Sequence, residues 1–134
     1  MTNQDLIKTL GDAIQYCEKA MDNAEIYFGH GIDSAWDEAV ALVLSVADLP
    51  ADSDQSVVAR KFTPAQVAEL QKLLSRRIDD KVPLPYLIGK AWFAGLEFLC
   101  DDRAIIPRSP IAELIRGGFS PWYDGPAPTA VLDL

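Results

Sequence analysis

Three groups of residues in this 134-residue chain have types and spacings that can do chemistry. His30, the sole histidine, stands between Gly29 and Gly31 in the run Tyr27-Phe28-Gly29-His30-Gly31-Ile32-Asp33-Ser34. An imidazole can act there as a base or a ligand. No Cys or His neighbour completes a metal set, and no serine-nucleophile motif is present. Structural or docking use is therefore expected of His30. Asp37 and Glu38 are adjacent acids, able in principle to serve as general acid and base. Beside Ser34 they fit better as helix cap and solvated face. Lys72, Arg76 and Arg77 form a basic patch, with Lys72 and Arg76 one helical turn apart. Such patches suit RNA when aromatic rings stack among the charges. None does here, so a solvated face is expected. Cys17 falls on an apolar stripe, which assigns it to packing. No catalytic residue and no metal set is expected.

The elements that must position these residues follow from periodicity. Leu6, Ile7, Leu10, Ala13, Ile14, Cys17 and Met21 recur at helical spacing. They predict a first helix over residues 3–22, capped by Thr2 or Asn3. Ser34 with Asp37 is a capping-box variant, Ser34 taking a backbone N–H and Asp37 reaching back. It opens a helix to about residue 47, with Trp36, Ala39, Val40, Val43, Leu44 and Ala47 inward. Thr63-Pro64-Ala65-Gln66 is a second helix start, with Gln66 closing the box. Val67, Leu70, Leu73, Leu74 and Ile78 form its buried stripe. Pro83 and Pro85 end the helical region.

The densest apolar and aromatic stretch is residues 90–114. Ala91-Trp92-Phe93 and residues 96–100 read as a hairpin around Ala94-Gly95. Residues 104–106 read as a third short strand. Ser109 caps a further helix, with Pro110 at its first position, and Gly117-Gly118 stops it. Residues 119–128 are a linker punctuated by Pro121, Gly125, Pro126 and Pro128. Residues 129–134 read as a buried strand. An apolar strand behind such a linker usually starts a domain, so the chain is expected to be a piece of a longer protein. The expected organisation is a helical part over 1–84, a hairpin with its helix over 85–118, and a linker with one strand over 119–134.

Nearly half the residues are apolar, at 49%, enough for a packed core. No apolar run is long enough to span a bilayer, and no secretory signal is visible at the start. Cys17 and Cys100 are expected to be free thiols, which fits a reducing cytoplasm. Charge is uneven. Residues 1–80 carry 14 acidic and 7 basic side chains, a net of −7, and residues 81–134 carry 6 and 5, a net of −1. An acidic front argues against direct nucleic-acid binding. It suits a basic protein partner, or plain solubility.

Three blocks carry a family resemblance. Phe28-Gly29-His30-Gly31 with Asp33 and Trp36-Asp37-Glu38-Ala39-Val40 is the first. Tyr86-Leu87 with Lys90-Ala91-Trp92-Phe93 and Gly95 is the second. Ile106-Pro107-Arg108-Ser109-Pro110-Ile111 with Glu113-Leu114-Ile115 is the third. Together they resemble the front part of the HemK-like protein-glutamine methyltransferases. Ser109-Pro110 after Arg108 favours the PrmB-like branch acting on large-subunit ribosomal protein L-three over the release-factor branch. The resemblance implies a mainly α fold: an N-terminal helical bundle, a β-hairpin, and the first strand of a truncated Rossmann-like methyltransferase domain in Val131-Leu132-Asp133-Leu134. It implies S-adenosylmethionine as the cofactor of the full-length enzyme and a basic ribosomal protein as partner. The family's glycine-rich turn and Asn-Pro-Pro-Tyr motif are not in this sequence, so its catalytic set is not carried over, and this chain alone is not expected to bind the cofactor. Arg108, Pro107 and Phe93 are candidates for the cofactor or substrate edge. His30, Trp36 and Asp37 are candidates for substrate docking. A salt bridge at the helix start is the plain alternative for Arg108, and core packing for Trp92 and Phe93. A non-catalytic helical adaptor is the rival function.

Overall fold

The computed structural model describes residues 6–29 and 32–132. In chain order the elements are α1 (Leu10–Asp22), α2 (Ala35–Val46), a 3-10 turn (Gln55–Ala59), α3 (Pro64–Ile78), α4 (Leu84–Ile88), β1 (Lys90–Phe93), β2 (Leu96–Leu99) and α5 (Ile111–Arg116). The described chain is mainly helical with one two-stranded antiparallel hairpin, as expected.

The helix expected over 3–22 is not continuous among the described residues: Leu6 is helical, residues 7–9 are not, and α1 begins at Leu10. Thr9 is its cap: the Thr9 hydroxyl accepts from the Asp12 N–H at 3.2 Å, and the Asp12 carboxylate accepts from Thr9 N–H at 2.9 Å. Thr9 is held extended against Lys61 by Leu10 N–H to the Arg60 carbonyl at 3.0 Å and Phe62 N–H to the Lys8 carbonyl at 2.9 Å. These long-range bonds break the expected continuous helix. Thr2 and Asn3, the caps anticipated from spacing, lie outside the described residues. From Thr9 onward the stripe holds, and Leu10, Ala13, Ile14, Cys17 and Met21 are all buried.

α2 packs on α1 through Ala39, Leu42 and Val43, which are fully buried. The buried face is rotated from the expected one. Trp36 is 47% exposed, because it sits about 100° round the helix from Ala35, whose side faces the core. Asp37 does not reach the Ser34 backbone; its carboxylate takes the Ser34 hydroxyl at 2.6 Å while Ser34 caps Asp37 N–H at 3.1 Å. α3 starts as its sequence says, with Thr63 and Gln66 bonded reciprocally. Val67, Leu70 and Leu74 are buried, while Leu73 and Ile78 pack at the edge. The prolines do not end helical structure. Pro83 and Pro85 instead bracket the first turn of α4, where a missing N–H is tolerated.

The hairpin pairs Lys90 with Leu99, Ala91 with Phe98, Trp92 with Glu97 and Phe93 with Leu96. Its turn has φ of 51° at Ala94 and 84° at Gly95, the left-handed pair that a tight two-residue hairpin turn requires. Residues 104–106 form no strand. Arg103 folds back on Asp101, with contacts down to 2.6 Å, and Ala104 N–H bonds the Asp101 carbonyl in a turn. Ile106 still turns inward, joining Ala91, Cys100 and Tyr86 in a small second cluster. In α5 the Ser109 hydroxyl accepts from Ile111 N–H at 3.2 Å, and Pro110 takes the cap position rather than the first helical one. The final expected strand is not formed over its described part: Val131 and Leu132 are exposed. No strand among the described residues lies beside it to satisfy its backbone.

Candidate functional site

Two features converge on α2. The first lies in the core. Glu38, expected on a solvated face, is 1% exposed, and Arg77, expected in a solvated basic patch, is 2% exposed. Arg77 Nε donates to Glu38 Oε2 at 2.7 Å and a terminal nitrogen donates to Oε1 at 3.0 Å. The same terminal nitrogen donates to the Tyr27 carbonyl at 2.8 Å. The guanidinium also lies over the Phe28 ring, 5.8 Å from its centroid. One fork thus ties α3, α2 and the Tyr27-Phe28-Gly29 turn together. Gly29 has φ of 143°, and a Cβ there would lie 2.8 Å from the Tyr27 ring, so the turn is reserved for glycine.

The second feature is an open cleft of about 970 Å³ between the outer face of α2 and the hairpin. Val40, Ala41 and Leu44 form its floor, and Ile88 and Trp92 face them. Asp37 stands at one end of α2, Asp48 and Asp52 just past the other, and Glu97 on the hairpin. Lys90 is the one basic residue lining it, and its Nζ lies 3.0 Å from Glu97. Because Trp92 opposes Glu97 across the hairpin, both project to the same side as Lys90.

Of the candidates for docking, Asp37 lines this cleft, Trp36 is exposed outside its lining, and His30 lies outside the described residues. Phe93 and Pro107 are half-buried and Arg108 is exposed. Among the described residues Arg108 has no ion-pair partner, and none of the three lines the cleft or the small pocket behind it. Lys72 and Arg76 do face solvent. Glu38 and Arg77 are buried rather than on the solvated faces expected of them, and Asp48, Asp52 and Glu97 carry no local sequence signal that marks them.

Neither thiol is poised for chemistry. Both cysteines are free and buried; burial pushes Cys17 up to about 12, and burial followed by the Asp101 charge raises Cys100. Among the described residues no three His, Cys, Asp or Glu side chains gather as a metal site. No described helix is long and apolar enough to cross a membrane.

No family model matches the chain. Individual relatives do. The ribosomal protein uL3 glutamine methyltransferase of Xanthomonas campestris pv. campestris is 45% identical over 130 residues, covering 97% of this chain and 42% of that protein. The protein of the same name from Francisella tularensis subsp. tularensis is 46% identical over 135 residues, covering 98% and 43%. That of Bordetella pertussis is 40% identical over 124 residues, covering 92% and 42%. The chain spans about two fifths of the length of these relatives, and it is a homologue of the N-terminal part of the ribosomal protein uL3 glutamine methyltransferases.

Proposed function

We propose that this chain is the substrate-recognition part of a protein-glutamine methyltransferase acting on ribosomal protein uL3. The observation that carries the reading is the 40–46% identity to proteins of that name over nearly the whole chain. Methyl transfer to a side-chain amide nitrogen needs the acceptor held in line with the donated methyl, away from water. S-adenosylmethionine supplies that methyl in the whole enzyme, and its seat lies outside this chain. The chain's own task is to capture and orient the protein substrate. The −7 front half supports this, since ribosomal proteins are commonly basic and opposite charge speeds encounter. The helical part over 1–84 is the recognition module and the hairpin a hinge and lid. Phe93, Pro107 and Arg108 form an edge turned to the cofactor or substrate, and His30, Trp36 and Asp37 belong to the docking side.

Calorimetric titration of the chain with purified uL3, with a release factor and with S-adenosylmethionine tests this. The expected result is salt-sensitive binding of uL3, weaker binding of the release factor, and no cofactor binding. Equal or tighter binding of the release factor moves the chain to the other branch. Micromolar cofactor binding contradicts the division of labour.

A further inference from the structure

We infer that the cleft between α2 and the hairpin binds an extended, basic segment of the protein substrate: two Lys or Arg residues about five positions apart, with apolar or small residues between them. This rests on the substrate-recognition reading and gives it a place and a chemistry.

α2 forms the floor of the cleft. Over Ala35–Val46 its only polar residues are Asp37, Glu38 and Ser45, so it is apolar on more than one side. One side is buried on α1. A helix apolar on more than one side is normally covered on each; on the second side Leu44 is already buried, while Val40 and Ala41 are only half-buried and floor an open cleft. An occupant with apolar side chains would complete that cover.

Charge then selects the occupant. Four carboxylates rim the floor, and the single lining cation is already engaged by Glu97. An acidic peptide or a nucleic-acid phosphate is repelled; a basic segment is drawn in. Spacing sharpens this. Asp37 lies near the start of α2 and Asp48 two residues past its end, so the two stand roughly 15 Å apart on a helix rising ~1.5 Å per residue. An extended chain covers that distance in about five residues, at ~3.3 Å each. The hairpin favours an extended occupant as well. β1 pairs only with β2, so among the described residues its other edge has no strand partner, and a peptide strand can add there. Lys90 and Trp92 of this strand line the cleft.

Fluorescence anisotropy on the whole chain tests the assignment. The probes are a labelled hexapeptide with lysines at both ends around Leu, Ala and Val, the same peptide with glutamates for lysines, and one with the two lysines adjacent. The proteins are the wild type, Asp48→Lys/Asp52→Lys in the exposed loop, and Lys72→Glu/Arg76→Glu on the far face, each checked by circular dichroism. The expected result is binding of the end-lysine peptide, weakened about tenfold or more by glutamates, by adjacency and by the Asp48/Asp52 reversal, and not by the Lys72/Arg76 reversal. No binding by the end-lysine peptide, equal binding of the glutamate peptide, or full affinity in the folded Asp48/Asp52 variant overturns the assignment. If uL3 binds that variant undiminished, the cleft fails while substrate recognition stands. If the peptide binds the cleft and uL3 does not bind the chain, the cleft stands and substrate recognition fails.

Discussion

Within residues 7–88 the large apolar side chains converge: Leu10, Met21, Leu42, Leu70 and Leu84 are at most 2% exposed. Beyond residue 95 they do not: Leu96, Leu99, Ile105, Trp122, Val131 and Leu132 are all more than 60% exposed. Each fully buried Leu or Val contributes about 1.5–3 kcal/mol, and the rear half forgoes most of that. Its order rests on a few isolated bonds: the Asp101–Arg103 turn, the Tyr86 hydroxyl on the Ala104 carbonyl at 2.8 Å, and the Ile111 N–H on the Ser109 hydroxyl. The contrast teaches where stability and surface chemistry are separated. The helical front carries its own core, while the rear offers apolar surface of the kind that marks an interaction face. The cleft lies at the seam, with one wall from each.

The sharpest way to break this comparison is to cut the clamp in the front. Glu38→Ala or Arg77→Ala leaves a buried charge without its partner, and a loss of about 3–5 kcal/mol is expected in denaturant unfolding. The double variant Glu38→Leu/Arg77→Met removes both charges and is expected to recover most of it. A single variant within 1 kcal/mol of wild type would deny the clamp its role. Next in size is a matched pair of truncations. Leu70→Ala is expected to cost about 2–5 kcal/mol, and Leu99→Ala, at 92% exposure, under about 0.5 kcal/mol. Equal effects would erase the distinction between the halves. Smaller again is the hairpin turn. Ala94 holds a left-handed φ of 51°, so Ala94→Asn or Ala94→Gly is expected to stabilise the hairpin by about 1 kcal/mol, read from thermal melts.

The smallest effects are in pH. The N–H groups of Lys8, then Thr9, hold the Asp12 carboxyl below its ordinary 3.8. The folded state therefore binds this proton less readily than the unfolded chain. Its contribution is present above about 3.8 and lost as pH falls through the lower folded value. Asp12→Asn should flatten the acid limb of a melting-temperature profile. The Arg103 side chain, aided by its own N–H, brings Asp101 in the rear down to about 2. That pair is exposed and only two residues apart, so the unfolded chain keeps much of the same contact and Asp101→Asn should change the acid limb less than Asp12→Asn. At the other end Cys17 is raised from 9.0 to about 12, so the unfolded chain gives up its proton first. Stability should fall as pH climbs from about 9 towards 12, and Cys17→Ala should remove that slope.

What was legible in the sequence was whatever depends on near neighbours. The Thr63-Pro64-Gln66 start and the Ala94-Gly95 turn stood as read, because caps and tight turns are decided within four residues. The Thr9 start was hidden because the bonds that hold Thr9 extended come from residues 60–62. The buried ion pair spans 39 residues, yet it left a trace. Glu38 shares helical spacing with Ala35, Ala39 and Leu42, and Arg77 with Val67, Leu70 and Leu74. Opposite charges on two apolar stripes are the mark of a pair buried between helices. The strand expected at 104–106 and the described part of the one expected after residue 128 are not formed for one reason: apolar residues alone make no strand without a neighbour to pair with. Asp37 stood out through its cap position and the family resemblance, while Asp48, Asp52 and Glu97 come beside the same cleft only in the fold.

The division into a gripping front and an apolar rear is tested most directly by hydrogen-exchange mass spectrometry of the chain with and without uL3. Protection on adding uL3 should concentrate in α2, the loop through Asp52 and β1, with α3 unchanged. No protection anywhere, or protection confined to the Lys72 and Arg76 face of α3, would contradict it.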